Sequence, residues 1–307
     1  MRDLAGLMPQ GVTTRIDLTL ASSSSSVARW TATGELVHVH PGVVILPRLI
    51  DDPLARARAA TLWSKGSLSH ISALALWEAV QSWSRPVHVT VPADRSPRRT
   101  TGVVVHRTTL PMPMTHIHGI PVTDLSRSLV DAWDWAHRTR RGARPDGGRA
   151  VVRQAVIECA RSRRTSVAAL RAESAACPVH AGRAELGRLL DLVADGCESE
   201  LEIWGVTRVL PGPPHVPAWV QQYPIHLGVG RNVRLDAAYP EARVAVELDG
   251  AAFHGNRAAR ERDLRRDSAL AALGWVVLRF SYARLMSDPE GCRREIEAVV
   301  LRRLAAL

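Results

Sequence analysis

Apolar and polar positions alternate most clearly in the last third of the chain. Val244, Val246 and Leu248 alternate with Ala245, Glu247 and Asp249, and Val233, Leu235 and Ala237 alternate with Arg234, Asp236 and Ala238. A period of two predicts two strands. Tyr239-Pro240-Glu241-Ala242 between them reads as a tight turn, so the strands are expected to form a hairpin. Arg257 to Leu273 is charged and alanine-rich, with Leu264, Leu270 and Leu273 placed on one side, and Gly274 is a natural helix stop. Trp275 to Phe280 then reads as a buried strand with one polar exception, Arg279. Two strands joined by a helix should run parallel through a right-handed crossover. Pro289 to Leu304 predicts a last amphipathic helix through Ile296, Val299, Val300 and Leu304. Upstream, Ser199-x-x-Glu202 is a capping box that opens another helix, with Glu202 in its first turn.

The first half is patterned differently. Thr14-x-x-Asp17 caps a short helix through Leu18 and Leu20, and the serine run Ser22 to Ser26 turns the chain into a second helix over Val27 to Thr33. Leu36 to Val39 and Gly42 to Leu46 predict a strand pair turning at His40-Pro41. Two helices followed by such a hairpin make a small winged helix-turn-helix. Farther on, Leu54 to Trp63 and Ser69 to Val80 read as helices, Val87 to Val91 and Val103 to Arg107 as strands, and Ser126 to Ala136 as a helix. Arg138 to Arg149, rich in Gly, Pro and Arg, reads as a linker. Helices over Val151 to Arg163, Ser166 to Glu173 and Gly182 to Asp195 should connect the halves and pack on the C-terminal core. Gly212 to His215 reads as a loop. The expected organisation is an α/β chain. Residues 1–50 form the winged helix-turn-helix, 51–137 an α/β middle region, 138–195 a linker and helical connector, and 196–307 a mixed sheet flanked by helices.

Length and composition fit more than one domain: 307 residues, of which 46% are hydrophobic. The formal net charge is +10, carried almost wholly by arginine, since Lys65 is the only lysine. That balance suits a polyanionic partner such as DNA. Cys159, Cys177, Cys197 and Cys292 are isolated in sequence, so neither a disulfide framework nor a cysteine zinc site is expected. With no signal peptide or long apolar run, the protein is expected to be cytoplasmic and to have no membrane partner. His38-x-His40 and His116-x-His118 have strand spacing, but with no Cys or Asp clustered nearby they read as solvated or core histidines.

The candidate chemistry lies in the C-terminal pattern. Asp236, Glu247, Asp249 and His254 fall within a short valine-rich segment, and an unpaired buried charge is costly. Such a group holds a metal, a proton or both. If Tyr239 pairs with Ala242, Asp236 lies opposite Ala245 and diagonal to Glu247, at roughly 7–8 Å between backbones. A slip of one residue would put Asp236 on the other face.

Taken together, Ser199-x-x-Glu202, Arg234-x-Asp236, Glu247-x-Asp249-Gly250, His254, Asp263-x-x-Arg266, Leu270 and Gly274-Trp275 through Arg279-Phe280 resemble the very-short-patch-repair-like branch of the PD-(D/E)xK nuclease superfamily. The resemblance covers about a third of the chain and implies a restriction-endonuclease-like fold and Mg²⁺- or Mn²⁺-dependent hydrolysis of DNA phosphodiesters. It implies that Asp236 binds the metal, with Glu247 and the Leu248 carbonyl as further ligands. It implies His254 as a proton-transfer group and Glu202 as the group that orients a water. The superfamily's lysine would fall at Asp249, where the repair branch has histidine. Arg266 and Arg279 could supply positive charge toward DNA, but an arginine cannot act as a base. Glu247 read alone would instead suit an ion pair with Arg234 or Arg279. In the N-terminal half, Gly11-Val12-Thr13 and Gly34 to Val43 resemble the first domain of abortive-infection type IV antitoxins and their transcription-regulator relatives. If the second helix there enters a groove, Ser24, Ser25 and Arg29 would meet phosphates or base edges. The resulting expectation is a DNA endonuclease targeted to double-stranded DNA by its N-terminal region. The alternative is a non-catalytic, antitoxin-like regulator with a degenerate nuclease fold. A third reading is an interaction module for a neighbouring toxin.

Overall fold

The computed structural model describes residues 4–83, 85–138, 146–177, 179–197, 199–228, 232–249 and 257–306. The chain divides into two compact units, Met1–Leu190 and Asp191–Leu307.

The first unit begins with α1 (Leu4–Leu7), β1 (Val12–Thr14), α2 (Arg15–Ala21), α3 (Ser24–Ala32), β2 (Val37–His40) and β3 (Val43–Ile45). Local chemistry sets both helix starts. Thr14 Oγ1 accepts from the Asp17 amide at 3.1 Å and donates to the Asp17 carboxylate at 2.6 Å. Ser23 Oγ accepts from the Ser26 amide at 3.2 Å, so the serine run is both the turn and the first turn of α3. The strands form an antiparallel sheet in the order β1-β3-β2. Alternation along β3 splits its two faces. Val44 packs with Leu18, Val27 and Trp30, while Val43 and Ile45 pack with Val12 and with Ala55 and Ala59 of the next helix. The helix runs through Leu18 and Leu20 as expected, but Leu20 is 82% exposed and Ile16 72% exposed. A helix of seven residues buries Leu18 alone.

Next come α4 (Pro53–Ser64), β4 (Ser67–Leu68), α5 (His70–Leu76), β5 (Val87–Pro92), β6 (Val103–Thr108), β7 (Met114–Ile117), β8 (Ile120–Thr123) and α6 (Leu125–His137). Their strands make a mixed sheet in the order β6-β5-β4-β8-β7. Helix α5 stops short of the expected Val80. Glu78 takes a left-handed conformation, and the Ala79 amide bonds back to the Leu74 carbonyl. The small side chains of Ala57, Ala60 and Ala73 join Leu68, Val87, Val89, Ile120 and Val122 in one cluster, which brings the helices close to the sheet. Helices α7 (Asp146–Arg161) and α8 (Val167–Ala176) pack against α6 within this unit. The sequence had suggested that they lie on the C-terminal core. Of the expected linker, residues 139–145 lie outside the described residues, and 146–149 already belong to α7. Helix α9 (Arg183–Ala194) runs across the division between the units.

The second unit continues with α10 (Glu200–Arg208), β9 (Val220–His226), β10 (Asn232–Tyr239), β11 (Val244–Asp249), α11 (Arg257–Ala272), β12 (Val276–Ser281), α12 (Tyr282–Ser287) and α13 (Pro289–Leu304). The sheet order is β12-β11-β10-β9, with β11 and β12 parallel and joined through α11. One face carries Ala237, Tyr239, Val244, Val246 and Leu248 against Leu201, Ile296 and Val300. The other carries Ile225, Leu235, Ala238 and Ala245 against Leu270. Of the three leucines expected to share one side of α11, only Leu270 is buried; Leu264 and Leu273 are exposed. The Tyr239 hydroxyl, buried on the first face, donates to the Pro211 carbonyl at 2.8 Å. Among the described residues, no helix is long and apolar enough to cross a membrane.

Two outcomes follow from the packing. The His40 imidazole is buried beside Trp63 and Thr100, and its pKa is lowered by burial and then by Arg56. The folded chain therefore takes up less proton than the unfolded chain as pH falls below about 6.5, so stability is full above that pH and is lost below it. In thermal melts at about pH 7.5 and about pH 5, His40→Gln should lose less stability on acidification than the wild type. An equal loss would show that His40 is not a source of the dependence. Secondly, a Cβ on Gly205 of α10 would fall 2.4 Å from Leu248 Cδ1. The gain in helix propensity on replacing glycine is at most about 1 kcal/mol, whereas overpacking costs about 1–3 kcal/mol. Gly205→Val, with more bulk and a smaller propensity gain than alanine, should therefore destabilise the chain in urea unfolding, and an unchanged midpoint would refute that close approach.

Candidate functional site

The hairpin closes differently from the expectation. Tyr239 pairs with Val244, Ala238 with Ala245 and Ala237 with Val246. The connection is the four residues 240–243, with Arg243 in a left-handed conformation and the Ala242 and Arg243 amides bonded to the Tyr239 and Pro240 carbonyls. The register thus differs by two residues from the one the sequence suggested. A shift of two preserves the face, and it brings Asp236 toward Glu247 instead of Ala245. Strict alternation also breaks at Asp236: Val233 and Leu235 join the cluster of Ala238 and Ala245, while Ala237 and Tyr239 belong to the opposite face.

At that break the Asp236 carboxylate takes a backbone partner. Its Oδ2 accepts from the Leu248 amide at 2.9 Å, which ties β10 to β11 beyond the last ladder pair. Glu247 is buried, 9% exposed, and its Oε1 accepts from Arg266 Nη2 at 2.7 Å. The same guanidinium nitrogen donates to the Arg234 carbonyl at 3.1 Å. Burial, and then the charge of Asp236, push the Glu247 pKa up to about 7, against the opposing pull of Arg266 and Arg279. Glu247 therefore changes charge near neutrality. Arg279 lies opposite Glu247 in the parallel register, but its guanidinium grips Asp267 with bonds of 2.6 and 2.8 Å.

On the other face, Ser199 Oγ accepts from the Glu202 amide at 3.1 Å and donates to Glu202 Oε1 at 2.8 Å. Gln222 Nε2 donates to Glu202 Oε2 at 3.2 Å. Gln222 sits in β9 with a φ of 49°. Sequence reading missed both β9 and Gln222, because Val220-Gln-Gln-Tyr-Pro-Ile-His226 has no clean alternation and contains a proline, which only an edge strand tolerates. The pairing of Glu247 with Arg266 was missed as well. Asp249 ends β11 opposite Ser281, and its side chain is outside the description. His254 lies outside the described residues.

Asp236 and Glu247 are a hard-oxygen donor pair of the kind that suits Mg²⁺ or Mn²⁺. Their mutual repulsion is the observation that makes a cation fit there. Arg266 meets part of that need, and its Nε is a buried nitrogen with no hydrogen-bond partner. In the first unit, Ser24, Ser25 and Arg29 are all exposed along α3, with the Arg29 guanidinium 5.9 Å from the Trp30 ring centre. His38, His116 and His118 are exposed, whereas His40 is buried.

One comparison with known protein families bears on this second unit. Residues 214–300, from just before β9 into α13, match the family model REase_MTES_1575. Two curated proteins of Mycobacterium tuberculosis, uncharacterized protein MT2308 of strain CDC 1551 / Oshkosh and uncharacterized protein Rv2248 of strain ATCC 25618 / H37Rv, are each 33% identical over 145 residues. That similarity takes in 47% of this chain and 44% of each relative, so the chain spans less than half the length of the curated relatives it matches. The family match indicates a restriction-endonuclease-like domain at the C-terminus of this chain.

Proposed function

We propose that the chain is a divalent-metal-dependent DNA endonuclease, directed to duplex DNA by its N-terminal region. The observation that carries this reading is the meeting of Asp236 and Glu247 in a restriction-endonuclease-like domain, close enough for one carboxylate to raise the pKa of the other. In this reading Asp236, Glu247 and the Leu248 carbonyl would hold Mg²⁺ or Mn²⁺, which would supply Lewis-acid chemistry for phosphodiester hydrolysis. The chain's own residues do the rest. The Leu248 amide fixes the Asp236 carboxylate. Glu202, braced by Ser199 and Gln222, orients the attacking water. His254 takes the proton of that water as the water oxygen bonds to phosphorus and one ester P–O bond breaks, the leaving sugar oxygen taking a proton from solvent. Arg266 holds the charge of Glu247 before the cation enters. The two helices of residues 15–32 and the hairpin after them support the winged-helix reading, with Ser24, Ser25 and Arg29 toward DNA.

A specific observation favours a second reading. The Arg266–Glu247 pair is a self-sufficient ion pair, and the chain has no lysine to complete the superfamily's set. A fold retained for binding would keep such a pair, and the protein would then be a non-catalytic DNA-binding regulator.

Incubation of supercoiled plasmid with the purified chain and Mg²⁺ or Mn²⁺ separates the two. Nicking or linearisation is expected. Asp236→Asn should abolish it while leaving DNA affinity within about threefold, because the carboxylate holds metal and not phosphate. His254→Ala should slow it by about 10²–10⁴-fold. No cleavage with any divalent metal, together with tight binding to one duplex sequence, would establish the regulator. Cleavage unchanged in both variants would assign the activity to a contaminant.

DNA affinity should fall steeply with salt, since arginines displace counterions condensed on phosphate. If α3 meets the backbone, Arg29→Ala should weaken binding across all sequences and reduce the salt slope by about one. An unchanged slope would remove α3 from the interface.

A further inference from the structure

The first unit holds a second group of metal-ligating side chains, with different chemistry. Alternation along β5 puts Val87 and Val89 into the apolar cluster with Leu68 and Ile120, and leaves His88 and Thr90 on the opposite face. In the parallel register Thr90 lies opposite His106, so His88 and His106 are diagonal neighbours on that face. Strand β4, hydrogen-bonded to β5, leads straight into His70 at the start of α5. The Ser69 amide donates to the His88 carbonyl at 3.0 Å, which fixes where His70 emerges. Three adjacent strands thus deliver three imidazoles to one spot.

The rings are closely ordered. His70 stacks on His106 with centres 3.6 Å apart, and His106 stacks on His88 at 5.1 Å. His88 Nδ1 and His106 Nε2 are 3.0 Å apart. Trp135 of α6 stands edge-on to all three rings, at 81–88°. One nitrogen from each histidine lies within 4.8 Å of the others. Nitrogens bound to one tetrahedral zinc, with bonds of about 2.0–2.1 Å, lie about 3.3 Å apart. Ligation would require the stacked rings to turn until their nitrogens converge, and the His88–His106 hydrogen bond to open.

We propose that His70, His88 and His106 form a binding site for a divalent transition metal of the zinc or cobalt class. Imidazole nitrogens favour such ions over Mg²⁺, which takes oxygen. His70 bears two costs at once. It is buried, and its backbone is left-handed at φ 54°, a conformation a non-glycine residue adopts under constraint. Burial, and then the neighbouring His106 and His88, hold its imidazole neutral, which is the form that ligates. A cavity of about 340 Å³, lined by His70, His106, Arg107, Arg127 and Asp131, opens beside the cluster and leaves room for a fourth ligand. One of the arginines in that lining is matched: Arg127 Nε bonds both oxygens of Asp131 at 2.9 Å. Without a metal the same side chains hold one another, His70 Nδ1 on Ser69 Oγ at 2.9 Å and His88 Nδ1 on His106 Nε2 at 3.0 Å, and the convergence of one nitrogen from each of three histidines beside an open cavity is what points to a metal.

The test uses the tag-free full chain carrying Asp236→Asn and Glu247→Gln, so that the C-terminal carboxylates cannot contribute. After chelator treatment it is titrated with Co²⁺ and then with Zn²⁺. The expected result is about one equivalent of Co²⁺ with a visible d–d spectrum, displaced by Zn²⁺ and indifferent to excess Mg²⁺. His88→Gln should weaken Zn²⁺ binding by at least about tenfold to a hundredfold. His106→Cys, which keeps a ligand, should retain the metal and add a thiolate-to-cobalt charge-transfer band, so folding and ligation are read together. Binding weaker than about 100 μM, or equal affinity in the wild type and His88→Gln with no new band in His106→Cys, would overturn the site.

Discussion

A single hydrogen bond organises the second unit: the Leu248 amide, one step beyond the last regular pair of β10 and β11, closes on the carboxylate of Asp236. A strand amide left without a ladder partner in a buried sheet needs an acceptor, and here a side chain supplies it. The consequence is positional. Leu248 packs its side chain against Gly205 of α10, the helix that carries Glu202 in its first turn. Glu247, one residue earlier, turns the other way and meets Arg266 of α11. Asp236 and β11 thereby connect the helices on both faces of the sheet, and the candidate site lies where the three meet.

Charge balance at that junction is uneven. Two carboxylates face each other in a buried setting, and the pKa of Glu247 rises to about 7 in response. A guanidinium offsets part of this, but it stays protonated under any ordinary condition, so it stabilises charge without moving a proton. In the nuclease reading that division of labour is complementary: arginine balances the empty site, a cation the working one, and proton transfer falls to His254. In the regulator reading the arginine is permanent. Glu202 is common to both readings, since Ser199 and Gln222 hold its two carboxylate oxygens whether or not a water is bound beside it.

Much of this was legible in the sequence wherever local chemistry decides. Both capping boxes, at Thr14 and Ser199, form as their residue types dictate, and α13 spans Pro289–Leu304 as its pattern predicts. The hairpin was legible in kind but not in register, because a four-residue turn and a left-handed Arg243 leave no signature distinct from a two-residue turn. The face survived only because the shift was even. Long-range partners were not legible. Nothing local says that Glu247 meets Arg266, nineteen positions away, in place of Arg234 or Arg279. The histidine cluster failed to register for the same reason. His-x-His pairs drew attention, while the three that converge come from two strands and the start of a helix, far apart in sequence. The one available signal was the valine frame: in Val-His-Val-Thr-Val and Val-Val-Val-His, a histidine takes the alternate position of a buried strand, where a satisfied partner is required.

The two candidate centres differ in a way that bears on both. One offers carboxylate oxygens near a site of repulsion, the other imidazole nitrogens behind a tryptophan. Hard and borderline ligands sort cations by type, since Mg²⁺ gives up its water reluctantly and bonds oxygen, while zinc-class ions prefer imidazole. A chain with both sets can hold two metals without either competing for the other's place. Selectivity then comes from donor chemistry in each unit alone, and it requires no particular arrangement of one unit against the other. The same sorting gives the arginine-rich composition a limit. Two of the guanidinium groups near these centres are paired, Arg266 with Glu247 and Arg127 with Asp131, which reduces the repulsion that a cation would meet there.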